Sequence, residues 1–323
     1  MSSLTELNPD RLRHFPISFF AAVMGLSGMA IATQKIEAMH GLSGRVGQSL
    51  FAFSAGLFAV LALIYLIKAA TRGSAVAEEW RHPVRISFFP TASISLILLS
   101  VAALPVDAGI SRLLWTAGTA LHLLLTVLVM TSWINHTRYE VVHISPAWFF
   151  PVVGNILVPI AGVRHAPPDL SWFFFAVGLL FWLVLLTIVV YRLFFHHPLP
   201  GRLIPTMFIM LAPPSAGFLA WLALNGSVDG FARLLYSSAA FIFLLLIPQL
   251  PKFARQSFSL SWWAYSFPLA AFTVATLAMA ERTGTAFYHQ AGLLLFALLA
   301  LVIVGLSART VTAVLHREIC RPE

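Results

Sequence analysis

Ten apolar runs dominate the sequence, each close to the roughly 20 residues that an α-helix needs to cross a hydrocarbon layer about 30 Å thick. They cover residues 15–33, 48–68, 86–105, 113–134, 144–162, 171–194, 204–225, 232–250, 260–280 and 289–308, with short polar breaks between them. A backbone in hydrocarbon must satisfy its own hydrogen bonds, so runs of this length are read as spanning helices. The expected fold class is an all-α integral membrane protein with ten transmembrane helices, leaving no room for a sizeable extramembrane domain. Composition agrees: 59% of the 323 residues are hydrophobic and 10% charged, at a mean hydropathy of +0.87. Soluble domains carry roughly 25% charged residues, so a water-soluble globule is excluded.

An even number of spans puts both termini on one side. Alternating the breaks assigns 14 of the 20 Lys and Arg residues to the terminal side, among them Arg11, Arg13, Lys68, Arg72, Arg138, Arg192, Lys252, Arg255 and Arg321. The other side receives 6: Lys35, Arg45, Arg112, Arg164, Arg233 and Arg282. Basic residues accumulate in cytoplasmic loops, so both termini are expected in the cytoplasm, and the net charge of +8 reports topology and gives no reason to expect nucleic acid as a partner. The first run follows the polar residues 1–14 and is read as a membrane helix, because it exceeds a signal-peptide core and lacks a small-residue cleavage site. The domain layout expected is an N-terminal cytoplasmic segment 1–14, one membrane domain 15–310, and a cytoplasmic tail 311–323.

A proline repeat divides the ten helices into two classes. Phe15-Pro16, Phe89-Pro90, Phe150-Pro151 and Phe267-Pro268 recur, and Ala212-Pro213-Pro214 fills the remaining interval. The steps of 74, 61, 62 and 55 residues each fit one helix out and one back. This spacing predicts five hairpins, at about 15–70, 86–134, 144–195, 204–250 and 260–310, each pairing a proline-bearing odd helix with a plain even one. Proline removes a backbone N–H and frees a carbonyl. Lipid does not tolerate such a carbonyl, whereas protein or water does. The five kinked helices are therefore expected inside, around an axis, and the plain ones outside.

Chemistry is otherwise sparse. No Asp, Glu, Lys or Arg falls near the middle of a run, so the buried carboxylate of a typical ion-coupled carrier is missing. His122 is the one imidazole well inside a run and is expected to hydrogen-bond a neighbouring helix. The single cysteine, Cys320, cannot form a disulfide within the chain or a redox pair. Neither a G-x-S-x-G nucleophile motif nor a phosphate-binding loop occurs, so no enzymatic activity, metal or cofactor is expected. Small residues cluster at Gly25, Ser27 and Gly28 and at Ser215, Ala216 and Gly217. They fit close helix packing and an open lumen equally.

At the ninth run, Ser261-Trp262-Trp263-Ala264-Tyr265-Ser266-Phe267-Pro268-Leu269-Ala270 resembles the signature of one family, which joins plant guard-cell slow-type anion channels with bacterial tellurite-resistance and C4-dicarboxylate transporter proteins. Phe15-Pro16-Ile17-Ser18-Phe19-Phe20, leading to Met24-Gly25-Leu26-Ser27-Gly28, and Ala212-Pro213-Pro214 are similar to that family as well. The resemblance covers essentially the whole membrane region. It implies a homotrimer in the bacterial plasma membrane, each protomer holding its own pore within five hairpins in quasi-fivefold order. It also implies that Phe267 plugs the pore, and that the permeating partners are small monovalent anions such as chloride and nitrate. Phe15, Pro16, Phe89, Pro90, Phe150, Pro151, Pro213, Pro214 and Pro268 are the candidate lining and kink residues. The family name also allows a C4-dicarboxylate/proton symporter or a tellurite-resistance exporter. Kinase control of the plant type is not expected, since the long plant termini have no counterpart here.

Overall fold

A computed structural model describes residues 10–320 of the chain. Residues 1–9 of the expected N-terminal segment and 321–323 of the tail, including Arg321, lie outside the described residues. All regular structure among the described residues 10–320 is helical. Among the described residues, nine helical segments are long and apolar enough to cross a membrane: Ile17–Met39, Arg45–Thr71, Arg85–Ala103, Ala108–Asn135, Pro168–Phe195, Gly201–Asn225, Gly230–Ala254, Leu260–Thr283 and Ala286–Leu315. The shorter apolar segment Pro146–Gly162 falls fifth in order, and the ten are called spans 1 to 10. Several even spans run past their apolar cores, as in span 4, expected over 113–134 and observed from Ala108 to Asn135.

The short fifth span lengthens itself by its winding. It contains 3-10 turns at Pro146–Trp148 and Gly154–Leu157, between α-helical turns at Phe149–Val153 and Val158–Gly162. A 3-10 helix rises about 2.0 Å per residue and an α-helix about 1.5 Å, so the segment reaches about 29 Å, close to the thickness of the hydrocarbon layer.

The prolines do not interrupt a running α-helix, which corrects the expectation of mid-helix kinks. Spans 3, 7 and 9 begin with 3-10 turns, at Arg85–Phe88, Gly201–Leu211 and Leu260–Tyr265. Pro90, Pro213, Pro214 and Pro268 stand within the first three residues of the α-helix that follows. Pro151 has the same place in the α-helical turn after Trp148. An α-helix leaves its first N–H groups unpaired in any case, so proline there costs little. Pro16 is the exception. It precedes its 3-10 turn, Ile17–Phe19, in an extended conformation.

Hydroxyl and amide side chains cover the carbonyls at these junctions. Thr91 donates to Phe88 O at 2.6 Å and Ser93 to Pro90 O at 2.9 Å. Thr126 of span 4 donates to Pro151 O at 2.6 Å, Ser215 to Leu211 O at 2.7 Å and Ser266 to Trp263 O at 2.6 Å. Each bond supplies inside the protein the partner that lipid lacks.

Burial follows the proline pattern. In spans 1, 3, 7 and 9, between 72 and 94% of the apolar stretch is buried, against 17 to 33% in spans 2, 4, 6, 8 and 10. Span 5 is buried through most of its length. The odd spans touch in the order 1, 3, 5, 7, 9 and back to 1, and each packs against the even span that follows it. The outer spans expose Phe53, Leu63, Leu113, Phe194, Leu244 and Leu301, an apolar coat that suits lipid.

One buried ion pair fastens the start of span 1. The break between spans 2 and 3, expected to be loop, contains the helix Gly73–Arg81, which buries Ala75 and Glu79. Glu79 accepts from Lys68 Nζ at 2.8 Å, Tyr65 OH at 3.0 Å and the Ile17 N–H at 2.8 Å. Lys68 Nζ also donates to Phe15 O at 2.7 Å. Ile17 follows Pro16 in the first helical turn, so a carboxylate from another helix caps one of its unpaired donors. Outside this clamp Arg72 pairs with Asp10, and the guanidinium holds the Asp10 carboxyl below its ordinary pKa. On the opposite side Lys35 meets Glu281 at 2.5 Å.

Two outcomes follow. Glu79→Gln leaves Lys68 as a buried cation without its counter-charge and is expected to destabilise the protein by about 3 kcal/mol. Thermal unfolding in detergent checks this, with the exposed Asp10→Asn as a control that shifts the midpoint little. Gly25→Val forces span 1 away from span 9, because a Cβ at Gly25 would overlap the Ser266 hydroxyl. Its expected loss is about 2 kcal/mol or more, read as a lower unfolding midpoint or loss of monodisperse protein.

Candidate functional site

The odd spans enclose a central cavity. Each contributes at least one wall residue: Met24 from span 1, Ile94 from span 3, Phe150 from span 5, Pro213 from span 7 and Phe267 from span 9. The void is about 30 Å³, room for one or two water molecules and too small for a hydrated anion. Its lining is apolar, with Gly154 the one position where the wall is bare backbone. Opposite charges and hydrogen-bond donors are absent from the lining side chains, so the cavity binds nothing tightly.

The position of Phe267 follows from its helix. Span 9 is buried over 94% of its apolar stretch, and Gly28 brings span 1 against it: a Cβ at Gly28 would lie 2.6 Å from Ala270 Cβ and 3.7 Å from the Phe267 ring. The small residues Gly25 and Gly28 thus serve close packing of spans 1 and 9. Of the lining, kink and small residues singled out in the sequence, Phe150, Ala212, Pro213, Ala216 and Phe267 line the cavity. Phe15, Pro16, Phe89, Pro90, Pro151, Pro214 and Pro268 do not. Phe15 stacks on Phe19 at 5.1 Å near the Lys68–Glu79 clamp. Phe89 turns outward to Trp80 and Tyr65, while its neighbour Phe88 reaches Phe150 at 5.8 Å. All of these prolines but Pro16 stand in the first turn of an α-helix and act through the backbone.

Sequence reasoning missed Met24, Ile94, Phe149 and Ile209 in the wall. They are ordinary apolar residues in apolar helices. Their one signal is position, close to the proline junctions of odd spans or, for Met24, beside the Gly25–Gly28 contact.

Directly behind the wall lies a polar pair. His122 of span 4 is fully buried, and its Nδ1 is 2.8 Å from Ser93 Oγ on span 3. This is the interhelical hydrogen bond expected of it. The Ser93 hydroxyl has a single proton and is placed to donate it to Pro90 O. With that assignment His122 carries its proton on Nδ1, and Nε2 is left without a partner. The ring lies against Gly154, where a Cβ would come within 2.7 Å of Nε2. Next in sequence, Asn155 donates to Thr126 Oγ1 at 3.1 Å and Val152 O at 2.7 Å. No cluster of three or more His, Cys, Asp or Glu side chains occurs among the described residues.

Cationic side chains occupy the ends of spans. Arg192, at the terminal-side end of span 6, is buried and donates to Val141 O at 3.0 Å and to His197 O. Arg138 donates to Ser132 Oγ at 2.7 Å and Tyr139 OH at 3.0 Å. On the opposite side His165 accepts or donates at 2.8 Å to Ser111, and burial together with nearby Arg112 holds its pKa below the usual histidine value.

Comparison with known proteins places this arrangement. The S-type anion channel SLAH3 of Arabidopsis thaliana is 30% identical over 317 residues, covering 96% of this chain and 49% of its own length. The chain thus spans about half the length of that plant relative. The tellurite resistance protein TehA homolog of Haemophilus influenzae is 25% identical over 276 residues, covering 85% of this chain and 81% of its own length. The uncharacterized transporter MJ0762 of Methanocaldococcus jannaschii is 26% identical, with 82% of this chain and 84% of its own length covered. Residues 14–311 match the SLAC1 family, described as voltage-dependent anion channel, and with nearly the whole membrane region accounted for, the chain belongs to that family.

Proposed function

We propose that the chain forms a passive anion channel, with the conduction path running through the central cavity of each protomer and the Phe267 ring as its stopper. The observation that carries this reading is the cavity itself: five inner spans close around an uncharged void, and a phenylalanine from the deeply buried span 9 is in its wall. An anion there meets only the partial positive charge of backbone amides and helix ends, with cations at the mouths. Weak binding favours throughput over tight selection. Anions that shed water readily should pass most easily, so nitrate should pass more readily than chloride. The void admits a water or two, and displacement of the ring would widen it.

The remaining architecture is proposed on the same footing. The five span pairs form the repeating unit in quasi-fivefold order within one domain, residues 15–310. Protomers assemble as a homotrimer in a prokaryotic plasma membrane, with both termini cytoplasmic. The alternation of buried and lipid-facing spans supports the repeat, and the excess of basic residues on the terminal side supports the orientation.

His122 favours a second reading. A neutral imidazole behind Gly154, with Nε2 unpartnered, is the one such group at mid-span among the described residues. A proton-coupled carrier would use it. The relative described as a tellurite resistance homolog keeps that reading in view.

Ion-substitution currents from purified protein in planar bilayers separate the two. Phe267→Ala is expected to raise nitrate and chloride current at least tenfold; an unchanged current would remove Phe267 from the gating role. Wild-type flux is expected to persist when a protonophore collapses the proton gradient. Flux that stops, and that His122→Gln also uncouples from protons, would establish the carrier instead.

A further inference from the structure

Two histidines far apart in sequence meet on the side opposite the terminal one. His40 follows Met39 at the C-terminal end of span 1, and His289 stands in the first turn of the helix Ala286–Leu315, span 10. Their ring centres are 5.4 Å apart, with planes inclined at 49°. His40 is exposed and His289 half-buried, so the pair is open to solutes.

Hydrogen bonding fixes which nitrogen of His40 is available. Its Nδ1 lies 2.9 Å from Ile36 O. A carbonyl oxygen only accepts, so the ring proton is on Nδ1 and the lone pair of Nε2 is left over. The His40 backbone N–H donates to the same carbonyl at 3.1 Å, which ties the residue to the helix end twice. Proteins present a ligating imidazole in this way, with one nitrogen donating to a carbonyl and the other turned to the ion. The His289 ring forms no hydrogen bond among the described residues. Lys35 of span 1, a cation on the same side, has its charge answered by Glu281 of span 9.

The spacing fits as well. Two imidazoles on one tetrahedral zinc, each bonded at about 2.1 Å, hold their ring centres about 5 Å apart. Packed aromatic rings also meet at about 4.5–7 Å, so the distance alone decides nothing. The free Nε2 lone pair is what distinguishes this pair from a packing contact.

We infer that His40 and His289 form a binding site for a late first-row divalent cation such as zinc, nickel or copper(II), the ions that imidazole suits. No third His, Cys, Asp or Glu joins them among the described residues, so water fills the remaining positions and the affinity is micromolar. Calcium and magnesium prefer oxygen ligands and are rejected. A bound ion fastens the end of inner span 1 to the start of outer span 10.

The test reads metal binding and does not depend on transport. Full-length protein without a histidine tag is stripped with chelator and titrated with zinc chloride in detergent by calorimetry. One zinc per protomer is expected, and an unfolding midpoint that rises with zinc. His40→Ala and His289→Ala are each expected to weaken zinc binding about tenfold or more and to remove the midpoint shift. Neither side chain is buried, so the zinc-free midpoint is expected to stay in place. Electron paramagnetic resonance of the copper(II) form is expected to show coupling to two imidazole nitrogens, and to one in either variant. His196→Ala with His197→Ala, an adjacent pair on the terminal side, is expected to leave binding intact. Zinc affinity unchanged in His40→Ala or His289→Ala would overturn the proposal, as would its loss in the His196 and His197 double variant or calcium binding of equal strength.

Discussion

Hydrocarbon offers no hydrogen bonds, and the architecture depends on how the chain meets that constraint. The outer spans answer with long uninterrupted α-helices, whose backbone groups pair internally. Four inner spans switch from 3-10 to α winding at a proline, and the switch exposes carbonyls that only other protein atoms can reach. Thr91, Ser93, Thr126, Ser215 and Ser266 reach them. Because those hydroxyls must be surrounded by protein, the irregular helices are confined to the interior and the regular ones to the rim. The division into inner and outer spans thus follows backbone chemistry as well as hydrophobicity, the outer spans having mean hydropathies of 1.9 to 2.8 against 1.3 to 1.9 for inner spans 1, 3, 7 and 9.

That same confinement produces the cavity. A 3-10 turn is thinner than an α-turn, and glycines at 25, 28 and 154 remove side chains where helices or rings come close. The inner helices approach tightly at these contacts and leave a narrow void between them. What lines the void is apolar, with the Ser93 hydroxyl engaged by the Pro90 carbonyl and the His122 ring behind Gly154. The clamp of Lys68 and Glu79 keeps the start of span 1 in place at the edge of this assembly.

Much of this was legible in the sequence. The apolar runs, the alternation and the proline period all reflect properties that act locally along one helix: length, periodicity and the missing N–H. Depth within the helix was less legible. Pro90 and Pro268 read as kinks because the preceding residues are apolar and look like continuing α-helix, whereas in the fold the turn before them winds as 3-10. The helix Gly73–Arg81 was hidden because its stabilising partner, Lys68, belongs to another element, and Glu79 looked like one more loop charge. Cavity residues such as Ile94 and Ile209 carry no mark at all, since only the third dimension separates a wall isoleucine from a lipid-facing one. Phe267 stood out because its motif resembles that of a family, and its place in the wall could not have been inferred from hydropathy.

The absence of formal charge at mid-depth has an electrical consequence. A membrane potential does work on a protein only by displacing charge through the field, about 2.3 kcal/mol for each elementary charge carried across 100 mV. Rotating a phenyl ring in a wall of isoleucine, methionine and proline displaces none, and the ionised side chains at Lys68, Arg192 and Glu37 are fixed near the ends of their helices, where little of the field drops. If the cavity conducts as proposed, a response to voltage would draw its energy from the anion moving through it, and the permeating ion itself would be the gating charge.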